Sequence, residues 1–168
     1  DRGSLFYREK RITRGREFNI LKFRVLRKDV LLQVQKEGKY SRLYEGDSSK
    51  LTWAGRCLLK KWYFDELPQL FNIVKGDMSL VGPRPLVVAE VNELIKQGIM
   101  YRDFILAGWT GPVQVEVKGE TLQKTATELD LEYLDRCRNW SSWQLWRYDI
   151  SVLYQTIQII LSGKGLKF

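Results

Sequence analysis

Histidine is absent from this 168-residue chain. Without imidazole there is no Ser-His relay, no His-ligated zinc and no histidine base. Chemistry falls instead to carboxylates, Lys, Arg, Tyr, Ser or a metal held by oxygen. Cysteine is scarce. Cys57 and Cys137 form no C-x-x-C, which speaks against a disulfide scaffold and for a reducing compartment. No run of 18 apolar residues occurs, so no stretch reads as a membrane span. There is no signal-like segment, no internal repeat and no low-complexity tract. The first residue is Asp1, not Met, and the expectation is a fragment whose N-terminal part is not included.

What is present describes a folded domain. Hydrophobic residues make up 44% and aromatics 12%, enough for a real core. The net charge of +8 is uneven. Residues 1–50 hold 14 Lys/Arg against 7 Asp/Glu, and the remainder 14 against 13. The basic end favours an anionic partner: phosphate groups, acidic lipid or nucleic acid.

The pattern predicts an α+β fold, mainly α-helical with an N-terminal β-hairpin, as a single compact domain with amphipathic helices. Residues 4–26 read as the hairpin, turning at Arg14-Gly15-Arg16. Phe18, Ile20 and Lys22 share one face of its second strand, and neither face is purely polar, so both are expected to be covered. A short helix follows over 27–38 on Val30, Leu31 and Val34, ended by Gly38. Residues 38–50 read as a loop. Leu51, Ala54, Leu58 and Trp62 recur at helical spacing, with Ser48 or Ser49 as N-cap. Leu67, Leu70, Phe71 and Val74 form the next helical face, stopped at Gly76. Pro85 opens a helix on Leu86, Val87, Val91, Leu94 and Ile95 that Gly98 closes. Val113, Val115 and Val117 alternate with Gln114, Glu116 and Lys118, which predicts a short strand after a Gly108/Gly111/Pro112 turn. Leu122, Ala126, Leu129 and Tyr133 mark one more helix. A last helix runs from about Ser142 to Leu161 on Trp143, Trp146, Ile150, Leu153, Ile157 and Ile160.

The densest chemistry lies between Trp62 and Pro85. Pro68 fits only the first turn of a helix, which puts Asp65 and Glu66 at that helix's N-terminus. There they read either as carboxylates complementing the macrodipole or as an ionised nucleophile beside a metal ligand. Gly82-Pro83-Arg84-Pro85 is either a rigid linker or a stiff mount for a phosphate-binding guanidinium. Lys22 and Arg24 form a solvated basic face or a second phosphate clamp. Trp143 and Trp146, with Trp140 nearby, read as core or as a membrane contact.

The run Asp65-Glu66-Leu67-Pro68-Gln69-Leu70-Phe71-Asn72, followed by Lys75-Gly76-Asp77-Met78-Ser79-Leu80-Val81-Gly82-Pro83-Arg84-Pro85, resembles the signature of the bacterial sugar transferases. These are the monotopic polyprenyl-phosphate phosphoglycosyl transferases. Gly15 with Phe18 and Lys22-Phe23-Arg24 resembles the family's basic strand. Leu51-Thr52 with Gly55-Arg56 resembles its next helix. Glu128-Leu129-Asp130 with Tyr133, Trp140-Ser141 and Asp149 resembles its C-terminal part. The resemblance covers nearly all of residues 1–168.

The resemblance implies transfer of a phosphosugar from a nucleoside-diphosphate sugar, usually a UDP-sugar, to a polyprenyl phosphate. Asp65 would be the nucleophile that carries a covalent phosphosugar, and Glu66 the Mg2+ ligand. Lys22, Arg24, Lys60 and Arg84 would hold phosphate, with Asp77, Gln114 and Asp130 as further site residues. It also implies a membrane surface as partner, no nucleic acid, and a place on the cytoplasmic face of the bacterial inner membrane. An upstream membrane anchor would be missing from this chain, and a homo-oligomer stays open. Departures stand beside the match. Lys60 occupies a position where the family often has Arg, and Trp62 and Tyr63 replace small hydroxyl residues. The pattern around Leu106–Val115 lacks an Arg and a second Trp. Two other readings stay open: a basic nucleic-acid-binding module and an inactive scaffold homologue.

Overall fold

Arg14 and Gly15 turn the chain back on itself with φ of 47° and 71°. Positive φ at both turn positions matches the twist of a two-residue hairpin, and glycine adopts it without a side-chain clash. The hairpin pairs β1 (Phe6–Thr13) with β2 (Arg16–Phe23), from Phe6 opposite Phe23 to Thr13 opposite Arg16. The computed structural model describes residues 3–37, 40–59, 62–116 and 124–162. Gly38, Lys60, Val117, Lys118 and Leu122 lie outside these residues, as does the side chain of Leu58. One face of β2 buries Phe18 and Ile20 against Met78. The other is only part-covered, with Leu21 and Phe23 half-buried and Asn19 exposed.

α1 (Lys28–Glu37) packs Val30 and Val34 onto Val25, Leu26 and Tyr44. The stretch expected as a loop contains α2 (Arg42–Glu45) and a 3-10 turn at Ser48–Lys50. Asp47 caps that turn by accepting from the Ser49 N–H at 3.0 Å, and the helix that follows is capped by Thr52, whose Oγ1 accepts from the Gly55 N–H at 3.0 Å, and by neither serine. The helix expected from Leu51 begins later, because Leu51 is taken by a bridge to Leu26. Its main part, Gly55–Leu59, winds as a π-helix.

A 3-10 turn at Phe64–Glu66 leads into α3 (Gln69–Val74), which ends at Gly76 with φ 81°. β3 (Ser79–Val81) follows. The next helix does not open at Pro85. Leu86 bridges Ile12 of the hairpin, so α4 starts two residues on (Val88–Lys96), with the Glu90 carboxylate accepting from the Val87 N–H at 3.1 Å. After a 3-10 turn at Tyr101–Asp103, β4 (Gly108–Thr110) pairs parallel to β3. Val113 and Val115 do not form the expected strand. Pro112 pre-sets helical φ and opens α5 (Pro112–Glu116). A five-residue run is too short for its period to decide. α6 (Ala126–Asn139) and α7 (Ser142–Leu161) begin at capping boxes, Thr125 with Glu128 and Ser141 with Gln144. The main core joins Val81, Tyr101, Ile105, Val115, Tyr133, Leu134 and Val152.

Two helices carry their apolar faces outward. On α3 the buried residues are Gln69 and Asn72, while Leu70, Phe71 and Val74 are exposed, Val74 to 88%. On α7 the core takes Val152 and Thr156, with Leu145, Tyr148, Leu153 and Ile159 partly buried against it, so Leu153 of the expected stripe turns inward. Trp143, Trp146, Ile150, Tyr154 and Ile157 face out, Trp143 to 63%. The tryptophan stripe is therefore surface, and its two indoles stack at 4.9 Å. Among the described residues no helix is long and apolar enough to cross a membrane.

Candidate active site

Tyr63 sets up the carboxylate pair. Its φ of 58° is left-handed, a strained backbone for an aromatic residue of a kind that gathers at functional sites. The chain then tightens into the Phe64–Glu66 turn before Pro68 and α3. The pair thus sits in a separate 3-10 turn, not in the first turn of the α-helix. Asp65 is 1% exposed. Glu66 keeps 24% of its side chain open and accepts a 3.0 Å hydrogen bond from Lys22 Nζ, whose side chain is 18% exposed. Burial alone would lower the Lys22 pKa. The carboxylates of Glu66, Glu45 and Asp65 outweigh it and hold the ammonium above its ordinary value. The Tyr63 phenol is pushed up, first by burial and then by Glu66 and Asp65. Lys22, Asp65 and Glu66 therefore converge.

Asn72 fixes this approach. Its side-chain amide donates to the Asn19 carbonyl at 2.9 Å and accepts from the Leu21 N–H at 3.0 Å. A single side chain thus pairs with the free edge of β2 as a neighbouring strand would. Its backbone carbonyl accepts from the N–H groups of Asp77 and Met78, so α3 is tied to β2 one residue from Lys22.

The Gly82–Pro85 turn is gripped from several sides. Pro83 O accepts from Gly108 N at 2.8 Å, and Leu86 O from Ile12 N at 3.0 Å. Between them, Arg102 Nη1 donates to Arg84 O and Arg11 Nη1 donates to Pro85 O at 3.3 Å. Close contact among glycines sets the turn's base: a Cβ on Gly108 would stand 2.2 Å from Gly82 N. The Arg84 side chain rides on this braced backbone and is half-buried.

The other candidates are placed as follows. Arg24 donates to the carbonyls of Ser4 and Leu26 at 2.8 and 3.1 Å. Asp77 lies 3.1 Å from Lys75 Nζ and 3.6 Å from an Arg16 nitrogen. Gln114 is buried on α5, with Oε1 lacking a hydrogen-bond partner among the described residues. Asp130 is 2% exposed, and its Oδ2 accepts from Tyr101 at 2.7 Å and Arg102 at 2.6 Å. Burial pushes the Asp130 carboxyl up, offset in part by Arg102 and Tyr101. Lys60 lies outside the described residues.

Sequence reasoning passed over Arg11, Arg42, Asn72, Tyr101 and Arg102. Arg42 is half-buried on α2 and interacts electrostatically with Glu90, Glu45 and Glu66. Asn72 ends the Asp65–Asn72 signature run but had no role assigned to it, and the other four lie in no motif. Only the excess of basic residues before position 50 hinted at Arg11 and Arg42.

Hard oxygen donors suit magnesium, which typically takes one or two carboxylates and completes its shell with water and substrate phosphates. Among the described residues no three His, Cys, Asp or Glu form a metal-holding group. Glu66, partly open beside Asp65, offers a carboxylate of that kind.

This is an α+β domain that presents adjacent carboxylates, a paired lysine and a braced Gly-Pro-Arg-Pro turn. The sequence profile of the family described as "Bacterial sugar transferase" matches residues 1–163, and the chain belongs to that family. It is 36% identical to the UDP-galactose-lipid carrier transferase of Erwinia amylovora and 34% identical to the undecaprenyl-phosphate galactose phosphotransferase of Salmonella typhimurium. Each match covers 98% of this chain and 35% of the relative. It is 32% identical to the exopolysaccharide production protein ExoY of Rhizobium meliloti, over 98% of this chain and 74% of that protein. The chain thus spans about a third of the length of the first two relatives.

Proposed function

We propose that this domain transfers a phosphosugar from a UDP-class nucleotide sugar to a polyprenyl phosphate, through a covalent intermediate on Asp65. The observation that carries this reading is the convergence of Asp65, Glu66 and Lys22 in a chain without histidine. The names of two relatives, a UDP-galactose-lipid carrier transferase and an undecaprenyl-phosphate galactose phosphotransferase, support the donor and acceptor classes.

A carboxylate oxygen of Asp65 attacks the sugar-proximal phosphorus. One P–O bond forms as the bond to the bridging oxygen breaks, and UMP leaves with that electron pair. An oxygen of the polyprenyl phosphate then attacks the same phosphorus, and Asp65 departs as a carboxylate. Neither step needs a histidine base, because both nucleophiles are already anionic. The protein's part is to position the groups and offset the phosphate charge. Lys22 and Arg84 would meet phosphate oxygens. Glu66 would hold magnesium, which when bound draws charge from the diphosphate. Asp65 is 1% exposed, so the donor reaches it only after a local rearrangement. The outward apolar faces of α3 and α7 suit a membrane surface, where the lipid acceptor resides. The cytoplasmic face of the bacterial inner membrane is the matching location.

The test is UMP release by the full-length protein, given a UDP-sugar panel, polyprenyl phosphate and Mg2+. Asp65→Asn should abolish covalent phosphosugar labelling, and a variant that still labels and turns over overturns the nucleophile assignment. Glu66→Ala should shift the Mg2+ titration to higher concentration; an unchanged titration removes the ligand role. An inactive scaffold releases no UMP at all.

A further inference from the structure

We infer that Arg102, held by Asp130 and Tyr101, is a positioning residue for Arg84. The inference rests on reading Arg84 as a phosphate contact. Arg102 is 5% exposed, and a buried guanidinium is costly to desolvate even when it has a partner. Its two terminal nitrogens are divided: Nη2 meets Asp130 Oδ2 at 2.6 Å, and Nη1 meets the Arg84 carbonyl. Tyr101, one residue earlier, donates to the same Asp130 oxygen at 2.7 Å. A second buried charge and a buried hydroxyl thus serve to aim one guanidinium at one carbonyl, that of Arg84.

The reach of Arg102 is wider than this contact. Its own carbonyl accepts from Gly15 N at 3.2 Å, and Arg14 N donates to Ile105 O at 3.1 Å. The segment carrying Arg102 therefore grips the hairpin turn with its backbone and the Arg84 turn with its side chain. β2 of that hairpin carries Lys22. One residue thus relates the strand bearing one phosphate-facing cation to the turn bearing the other. Prolines on both sides leave Arg84 little backbone freedom of its own. An error in the turn's placement would pass directly to its guanidinium, and misplacement of about 1 Å can cost roughly a hundredfold in rate.

A double-mutant cycle on the full-length protein separates positioning from plain structure. Arg102→Lys and the milder Tyr101→Phe are each made with Arg84 present and with Arg84→Ala, and kcat/KM for UMP release is measured beside Tm. Arg102→Lys should lower kcat/KM about tenfold with Arg84 present, and less than about twofold once Arg84 is gone. If Arg102→Lys fails to fold, Tyr101→Phe carries the same cycle with a smaller first step. Equal losses in both backgrounds, tracking a fall in Tm, overturn the inference and leave a structural ion pair. If the wild type releases no UMP, the proposed function fails separately. The cycle is then read from inorganic pyrophosphate affinity by calorimetry, where equal losses again overturn the positioning role and a loss confined to the Arg84 background supports it.

Discussion

Lys22 Nζ stands 3.0 Å from Glu66 Oε1, and both side chains are mostly covered. A lysine read from sequence as a phosphate clamp is thus already committed to the carboxylate beside Asp65. The two readings are compatible, because an ammonium has three donors. One can stay on Glu66 while another turns to a phosphate oxygen.

Lys22→Met tests this double role. It removes the phosphate donor and leaves Glu66 part-buried without its lysine. A hydrogen bond to a charged group contributes about 1.5–3 kcal/mol, so kcat/KM for UMP release should fall roughly tenfold to a hundredfold. Lys22→Arg keeps the charge and should recover part of that loss. Unchanged kcat/KM in Lys22→Met would remove Lys22 from the site.

Asn72 offers a prediction on stability. Asn72→Ala deletes both side-chain bonds to β2 and leaves Asn19 O and Leu21 N without their partner. The expected cost is about 2 kcal/mol, or about 4–8 °C in Tm for a chain of this size. Asn72→Asp keeps the acceptor for Leu21 N but sets a carboxylate against the Asn19 carbonyl, and should be no more stable than the alanine variant. Thermal unfolding decides. A Tm within a degree of wild type for Asn72→Ala would show that β2 is held by other contacts.

Local signals and distant ones fared differently in this chain. The apolar spacing placed α7 from Ser142 to Leu161, and Gly15 marked the hairpin turn, because helical period and positive φ are decided within a few residues. The Asp65-Glu66 and Gly-Pro-Arg-Pro runs were likewise visible as motifs. The devices that hold them were not. Asn72 meets partners 53 and 51 positions away, and Arg102 meets Asp130 28 positions on. No local pattern encodes such pairings. The strand expected at Val113 and Val115 failed for another reason: five residues cannot separate period 2 from 3.6, and Pro112 decided for helix.

Asp130 gives a pH dependence of definite sign. Its carboxyl lies above the ordinary 3.8, with burial the larger cause and Arg102 and Tyr101 opposing it. A raised carboxyl holds its proton more tightly folded than unfolded. Its contribution to stability is therefore complete below about pH 3.8 and lost as pH rises through the raised value. Asp130→Asn cannot titrate. The unfolding free energy of wild type minus that of the variant should decline as pH rises from about 4 to 7. Denaturant titrations at several pH values measure this difference. A difference that grows with pH would make the Arg102 charge, not burial, the dominant influence.

The outward stripe of α7 tests the membrane part of the proposal. Trp143 and Trp146 stack on each other and remain more than half exposed, on the face that also carries Ile150, Tyr154 and Ile157. Indoles prefer the boundary between water and acyl chains, where the ring is buried and the N–H stays wet. Burying an exposed large apolar side chain gains about 1.5–3 kcal/mol. Taking the lower figure for each indole, Trp143→Ser with Trp146→Ser should weaken binding to anionic phospholipid vesicles roughly a hundredfold. Neither residue supports the core, and surface changes usually stay within about 0.5 kcal/mol, so Tm should move by only about 1–2 °C. Vesicle co-sedimentation, with Tm measured alongside, separates the outcomes. Weakened binding at constant Tm assigns the face to the bilayer. Unchanged binding takes the indoles away from the membrane, and a large drop in Tm would mean that the stripe supports the fold after all.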